Sequence, residues 1–154
     1  NRQFVFNHTS VDHTKYDSLR RALYLPVIRN NVYSLFSQFD FPDPTMPTGH
    51  RSSTVVAPQA LLMMNSGLVM DSASSMASTL LDRGKDDTER VRMAYERTVG
   101  RSPSSEETQR AIAFVGELTS QSIGATGVEA AGQQQAWSAF CQSLFASNEF
   151  IYVR

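Results

Sequence analysis

Apolar positions recur at helical spacing along most of this chain. After Pro26, residues Ile28, Val32, Leu35, Phe36 and Phe39 fall at i, i+4, i+7, i+8 and i+11, which is one helical face. Proline suits the first turn of a helix, and the residue before a proline is pushed out of the α region. The pattern therefore predicts a helix from Pro26 to Phe39, stopped before Pro42. Residues 40–53, DFPDPTMPTGHRSS, hold three prolines and a glycine and read as a loop. A second helix is predicted to start at Pro58. Its body, Ala60 to Met64, is apolar on every side, which predicts a fully buried segment. Asn65-Ser66-Gly67 is expected to end it, with Gly67 in the left-handed conformation.

The later segments have narrower apolar stripes. Val69, Ala73, Met76, Ala77 and Leu80 mark a third helix closed by Gly84. Asp86 or Asp87 can accept the orphan N–H groups of a fourth, whose face is Val91, Ala94, Tyr95, Thr98 and Val99 and whose end is Gly100. Ser104 with Glu107 three residues on is a capping box that opens a fifth. Its expected inner stripe is Ala111, Phe114, Val115 and Leu118. Residues 120–133 carry Gly124, Thr126, Gly127 and Gly132 and predict a flexible connection. The last helix bears Trp137, Phe140, Cys141, Leu144 and Phe145. Asn148-Glu149-Phe150 follows, and Ile151-Tyr152-Val153 is expected to trail as an extended end.

Residues 1–22 show no sustained period and read as an irregular arm, with a short strand conceivable over Gln3–Phe6. The whole predicts an all-α fold: a compact bundle of about six helices, formed by residues 23–154 as a single helical domain behind the arm. A chain of 154 residues can bury a sufficient core without disulfide or metal. It begins at Asn1, not Met, and reads as a fragment or processed form of a larger protein.

Composition narrows the function classes. Fourteen Lys and Arg against fifteen Asp and Glu leave a net charge of −1, so no global field attracts nucleic acid. No run of about 18 apolar residues occurs, so no membrane span is expected. The single cysteine, Cys141, rules out an internal disulfide, and its place on an inner helical face predicts an inert buried thiol. Phosphate-loop, dinucleotide, HExxH, CxxCH and GxSxG motifs are all missing, and no cofactor is expected. His8, Asp12, His13 and His50 could meet around a divalent metal, but their spacing matches no standard motif and three solvated loop histidines are the simpler reading.

One polar set stands apart from amphipathic patterning: Arg29, Asn30, Asp40, Asp43, Arg51 and Gln59. Backbone in a proline-rich loop cannot satisfy itself as a helix does, and Arg and Asp side chains can hold such a loop by charge-assisted bonds. The set is therefore either a loop-locking network or a polar surface for a ligand or partner.

LPVIRNN (25–31), FDFPDP (39–44), the position of Arg51, TVVAPQALLMMN (54–65) and the closing SNEFIYV (147–153) resemble the C-terminal part of a planctomycete-type domain of unknown function. The resemblance runs over roughly residues 12–154. It implies an exported or periplasmic setting within a large multidomain protein, commonly alongside cytochrome c-like domains and sometimes carbohydrate-binding ones. It implies no reaction. Over residues 91–150, Tyr95, Gly100-Arg101, Pro103, Glu107 and Ser147–Phe150 are similar to small helical association modules of bacterial surface proteins and phycobilisome linkers.

The expectation is a non-catalytic structural or interaction module whose partners are other domains of the same protein, including a cytochrome c-like domain. Its exposed surface is expected near Arg29, Asp40 and Arg51. The alternative is a ligand-binding or catalytic part of an exported enzyme acting on carbohydrate or in electron transfer. Glycan binding would need exposed aromatics, for which Tyr16, Tyr24 and Tyr33 are available.

Overall fold

The computed structural model describes residues 21–25, 27, 32–50 and 57–152. Among these the fold is all-α, with seven α-helices and no strand. The helices are α1 (Ser34–Gln38), α2 (Ala57–Asn65), α3 (Gly67–Arg83), α4 (Asp87–Thr98), α5 (Ser105–Thr126), α6 (Glu129–Phe145) and α7 (Asn148–Ile151). The chain divides into two compact units, residues 1–59 and 60–154.

In the first unit the helix expected over Pro26–Phe39 is found, among the described residues, only over Ser34–Gln38; Pro26 and residues 28–31 lie outside them. Val32 and Tyr33 lie outside the helix, and Tyr33 is the N-cap of α1. Val27 and Val32, both described and both outside any helix, are β-branched, so the apolar stripe there is not matched by propensity. A single 3₁₀ turn, Ala22–Tyr24, precedes it. Phe36 is the buried residue of α1, flanked edge-on by Tyr33 (5.4 Å) and stacked on Phe41 (5.2 Å).

The second unit holds the core. Ala73, Ala77 and Leu80 of α3, Val91 and Ala94 of α4, Ala111 and Val115 of α5, and Trp137, Phe140, Cys141 and Leu144 of α6 form one buried cluster. So many alanines on facing stripes let the helices approach closely. The stripes expected for α3, α4 and α6 are the faces that supply this cluster, although Met76, Tyr95, Thr98, Val99 and Phe145 are only partly buried. On α5, however, Phe114 is 41% exposed while Ala111 and Val115 are buried.

Helix ends follow their capping chemistry. Asp86 Oδ1 accepts from the Glu89 amide (2.7 Å), and Glu89 returns the bond to the Lys85 amide (3.0 Å). Ser104 and Glu107 form the full capping box (3.2 and 2.7 Å). Gly100 takes φ +72° after α4.

Three expectations change. Gly67 does not end α2 in a left-handed turn but is the first residue of α3, and Ser66 alone separates the two helices. Residues 120–133 are not a flexible connection: α5 runs through Gly124 to Thr126, Gly127 turns at φ +68°, and α6 starts at Glu129. The end of the chain is not extended from Ile151, which closes α7; Ser147 caps that helix by accepting from the Phe150 amide (3.3 Å).

The largest departure is α2. Its apolar body is not fully buried: Leu61 is 62% exposed and Met64 56%. Gln59, the polar residue of this helix, is the one buried, at 2%. In the second unit α6 holds the end of α2, because the Gln142 amide donates to the Met64 carbonyl (2.5 Å), one of the orphan acceptors a helix end presents.

Candidate functional site

Of the six polar residues singled out above, Arg29, Asn30 and Arg51 lie outside the described residues. Asp40 is half-buried at φ +54°, the one non-glycine residue in the left-handed region among those described. It follows the C-cap of α1, Phe39, and the Phe41 amide reaches back to the Phe36 carbonyl (3.0 Å). That bond, with Phe41 stacked on Phe36, makes a Schellman motif with its usual apolar contact. Asp is among the few non-glycine residues that tolerate this conformation. Any substitution at Asp40 therefore acts first on the backbone turn that launches the proline-rich loop.

Asp43 is exposed and accepts from both the amide (2.8 Å) and the hydroxyl (2.6 Å) of Thr45. This is an Asx turn, and the Thr45 bonds hold the Asp43 carboxyl below its usual range. The Gln59 amide donates to the Gln38 carbonyl (2.8 Å), which ties the start of α2 to the last turn of α1. Asp43 and Gln59 thus bond to backbone, while Asp40 occupies the left-handed position of the turn.

His8 and His13 also lie outside the described residues, and His50 is exposed in the loop. Among the described residues no group of His, Cys, Asp and Glu is placed to hold a metal ion. Burial pushes the Cys141 thiol up to about 12, and the residue is fully buried, as its position on α6 predicts. Tyr24 is exposed and Tyr33 packs on Phe36; Tyr16 is outside the described residues.

The densest polar constellation lies elsewhere, around Arg101 in the turn between α4 and α5. Its Nη1 and Nη2 donate to Glu107 (2.9 and 2.7 Å), and its Nε and Nη2 donate to Glu149 of α7 (2.6 and 2.9 Å). Nη1 also reaches the Ser102 carbonyl (3.2 Å), so all five guanidinium N–H donors are used. The guanidinium carbon sits 5.4 Å from the centre of the Tyr95 ring. Every position in the second resemblance noted above, from Tyr95 to Phe150, contributes to this turn or to α7. Sequence reading placed Arg101 in a tight turn and Glu107 in a cap. It missed Glu149, because a pairing across 48 residues leaves no local signature.

The charges respond accordingly. Arg101 and its own capping bonds hold the Glu107 carboxyl down from 4.5 to about 2, and Arg101 also lowers Glu149. Arg101 itself is raised by the two glutamates. Desolvation, reinforced by Glu107, raises the Tyr95 phenol. Carboxylates with depressed native pKa values stabilise the fold above their unfolded pKa, and that contribution fades as pH falls through the native value. The clasp is therefore intact above about pH 4.5 and released towards pH 2. Arg101→Met should lower the urea midpoint at pH 7 and flatten its fall between pH 5 and pH 2, since fewer depressed carboxylates remain. Parallel pH profiles for the two proteins would mean that the clasp contributes nothing to folding.

Among the described residues no helix is long and apolar enough to cross a membrane. No curated protein and no solved structure matches the chain. A family does match, over residues 2–115, which covers the polar set, α1 to α4 and the capping box and stops short of the SNEFIYV segment. The chain belongs to the PSD1 family, described as a protein of unknown function (DUF1553).

Proposed function

We propose that this chain is a non-catalytic structural or interaction module of a large exported multidomain protein, and that it packs against other domains of that protein, a cytochrome c-like domain among them. The exported setting and the cytochrome partner rest on the planctomycete-type resemblance. The observation that carries the interaction reading is α2. A helix built from Ala, Pro, Leu and Met leaves Leu61 and Met64 more than half exposed, and Met70 at the start of α3 is exposed as well. Apolar side chains gathered in a short stretch and left in water point to a surface that another protein covers. In the first unit, Arg29, Asn30, Asp40, Asp43, Arg51 and Gln59 are proposed as a second, polar ligand or partner surface.

Methionine oxidation tests the reading directly, because only an accessible thioether reacts quickly. In the isolated chain, dilute peroxide should oxidise Met64 and Met70 well before the half-buried Met63, Met76 and Met93. In the intact parent protein Met64 should react at least about tenfold more slowly. Equal rates for Met64 in the two contexts would remove the basis of the proposal.

A further inference from the structure

Helices α4, α5 and α6 enclose a second feature, a cleft of about 340 Å³ beside the Arg101 clasp. That volume lies at the lower end of the range of small-molecule sites. Its base is apolar and buried, formed by Ala111, Phe140 and Leu144. Two aromatic rings, Tyr95 and Phe114, flank it, and Phe114 is the residue of the α5 stripe that stays 41% exposed. An exposed phenylalanine bordering a cleft offers a stacking face that core packing does not use.

The polar groups of the cleft differ in availability. Glu107 is already neutralised by the forked bonds from Arg101. The Ser143 hydroxyl donates to the Phe140 carbonyl (2.7 Å), which leaves its oxygen to accept. Arg110 is the open group. It meets Glu106 through a single 3.2 Å contact, with the two side chains 70% and 78% exposed. A pair so exposed is screened by water and weak. The remaining donors of Arg110 have no partner among the described residues. A carboxylate arriving at the cleft could take them in a forked pair, which is stronger than the contact it replaces.

We infer that this cleft binds a small aromatic carboxylate, with the ring between Tyr95 and Phe114 over the Phe140 base and the carboxylate on Arg110. Arg110 selects the charge and Phe114 supplies the stacking face. This inference is independent of the α2 surface and of any partner domain.

The test is an amide NMR titration of the whole chain with 3-phenylpropionate, set against 3-phenylpropanol and phenethylammonium. The expected result is saturable shifts at Arg110, Phe114 and Ser143, with the carboxylate at least about tenfold tighter than the alcohol, the factor that about 1.4 kcal/mol supplies. Arg110→Gln should erase that preference, and Phe114→Ala should weaken the carboxylate and the alcohol alike. If Arg110→Gln fails to fold, Glu106→Gln serves instead and should tighten the carboxylate by freeing Arg110. The inference is overturned if no saturable shift appears, if the alcohol or the ammonium binds as well as the carboxylate, or if neither charge variant changes the preference.

Discussion

Trp137→Ala should destabilise the second unit by about 3–5 kcal/mol, the largest loss expected from any single truncation in this chain. Trp137 is 2% exposed on the inner face of α6. It meets Phe140 edge to face (centroids 5.8 Å), and the Arg90 guanidinium carbon lies 6.0 Å from its ring centre. Alanine would leave a cavity lined by the small side chains of α3, α4 and α5, and backbones already close together cannot collapse to fill it. It would also strip Arg90 of its aromatic neighbour. Arg90 would keep its Nη1 bond to Asp87 (2.7 Å), but its Nε is buried without a hydrogen-bond partner. Domains of this size keep about 5–15 kcal/mol in total, so the variant should sit near the edge of folding at 37 °C. Because the chain has one tryptophan, its fluorescence reports the second unit alone in the wild type. The comparison itself is made by far-UV circular dichroism in urea. Trp137→Phe, which keeps the edge-on contact and most of the volume, should recover more than half of the loss. A Trp137→Ala midpoint within about 1 kcal/mol of wild type would show that the α6 face is not the centre of this core.

How far such a core is legible from sequence depends on the kind of information each element carries. The stripes Val69–Leu80, Val91–Val99 and Trp137–Phe145 are legible because the faces turned to the core obey one helical period, and α3 and α4 are also marked by Gly84 at the end of one and Asp86 at the start of the other. Asp86 and Ser104 announce their helices because the bond they make spans three residues. Where period and propensity disagree, the pattern misleads. The Ile28–Phe39 stripe predicts a helix three turns long, yet among the described residues only Ser34–Gln38 is helical, and the β-branched Val32 lies outside it. A uniformly apolar helix misleads in a different way. Composition makes α2 look buried, but burial depends on what stands opposite, and nothing in the local sequence says that Leu61 and Met64 face water.

The candidate sites divide along the same line. Asp40, Asp43 and Gln59 stand out because they break the amphipathic pattern; Asp43 bonds the Thr45 amide, Gln59 bonds backbone at the join between α1 and α2, and Asp40 takes the left-handed turn position. The clasp of Arg101 with Glu149 and the cleft under Arg110 are products of tertiary packing. Arg110 and Phe114 look like an ordinary surface cation and an ordinary core ring until α4 and α6 are placed beside them.

Gly132 shows what a glycine count alone conceals. In sequence it reads as a breaker in a flexible connection; in the structure it is a buried residue one turn into α6, packed on α5. A Cβ there would come within 2.9 Å of Ile123 Cγ1, 3.3 Å of the Ile123 nitrogen and 3.4 Å of the Thr119 carbonyl oxygen. The Ile123 side chain can rotate, but the two backbone atoms belong to a helix and cannot yield independently. Gly132→Ala gains about 1 kcal/mol of helix propensity and spends it on this crowding, so it should be neutral to mildly destabilising. Gly132→Val adds two methyl groups to the same gap and should destabilise by about 1–3 kcal/mol or more, by forcing α5 and α6 apart along their shared face. Gly116→Ala is the matched control. It lies mid-helix in α5 on an exposed face with nothing within 4 Å of the added carbon, and should stabilise by up to about 1 kcal/mol. Opposite signs for valine at 132 and alanine at 116, read from urea midpoints, would establish close α5–α6 contact as the reason for Gly132. If Gly132→Val matches or exceeds wild-type stability, the two helices do not approach there as described, and residues 120–133 regain the flexible reading that the sequence suggests.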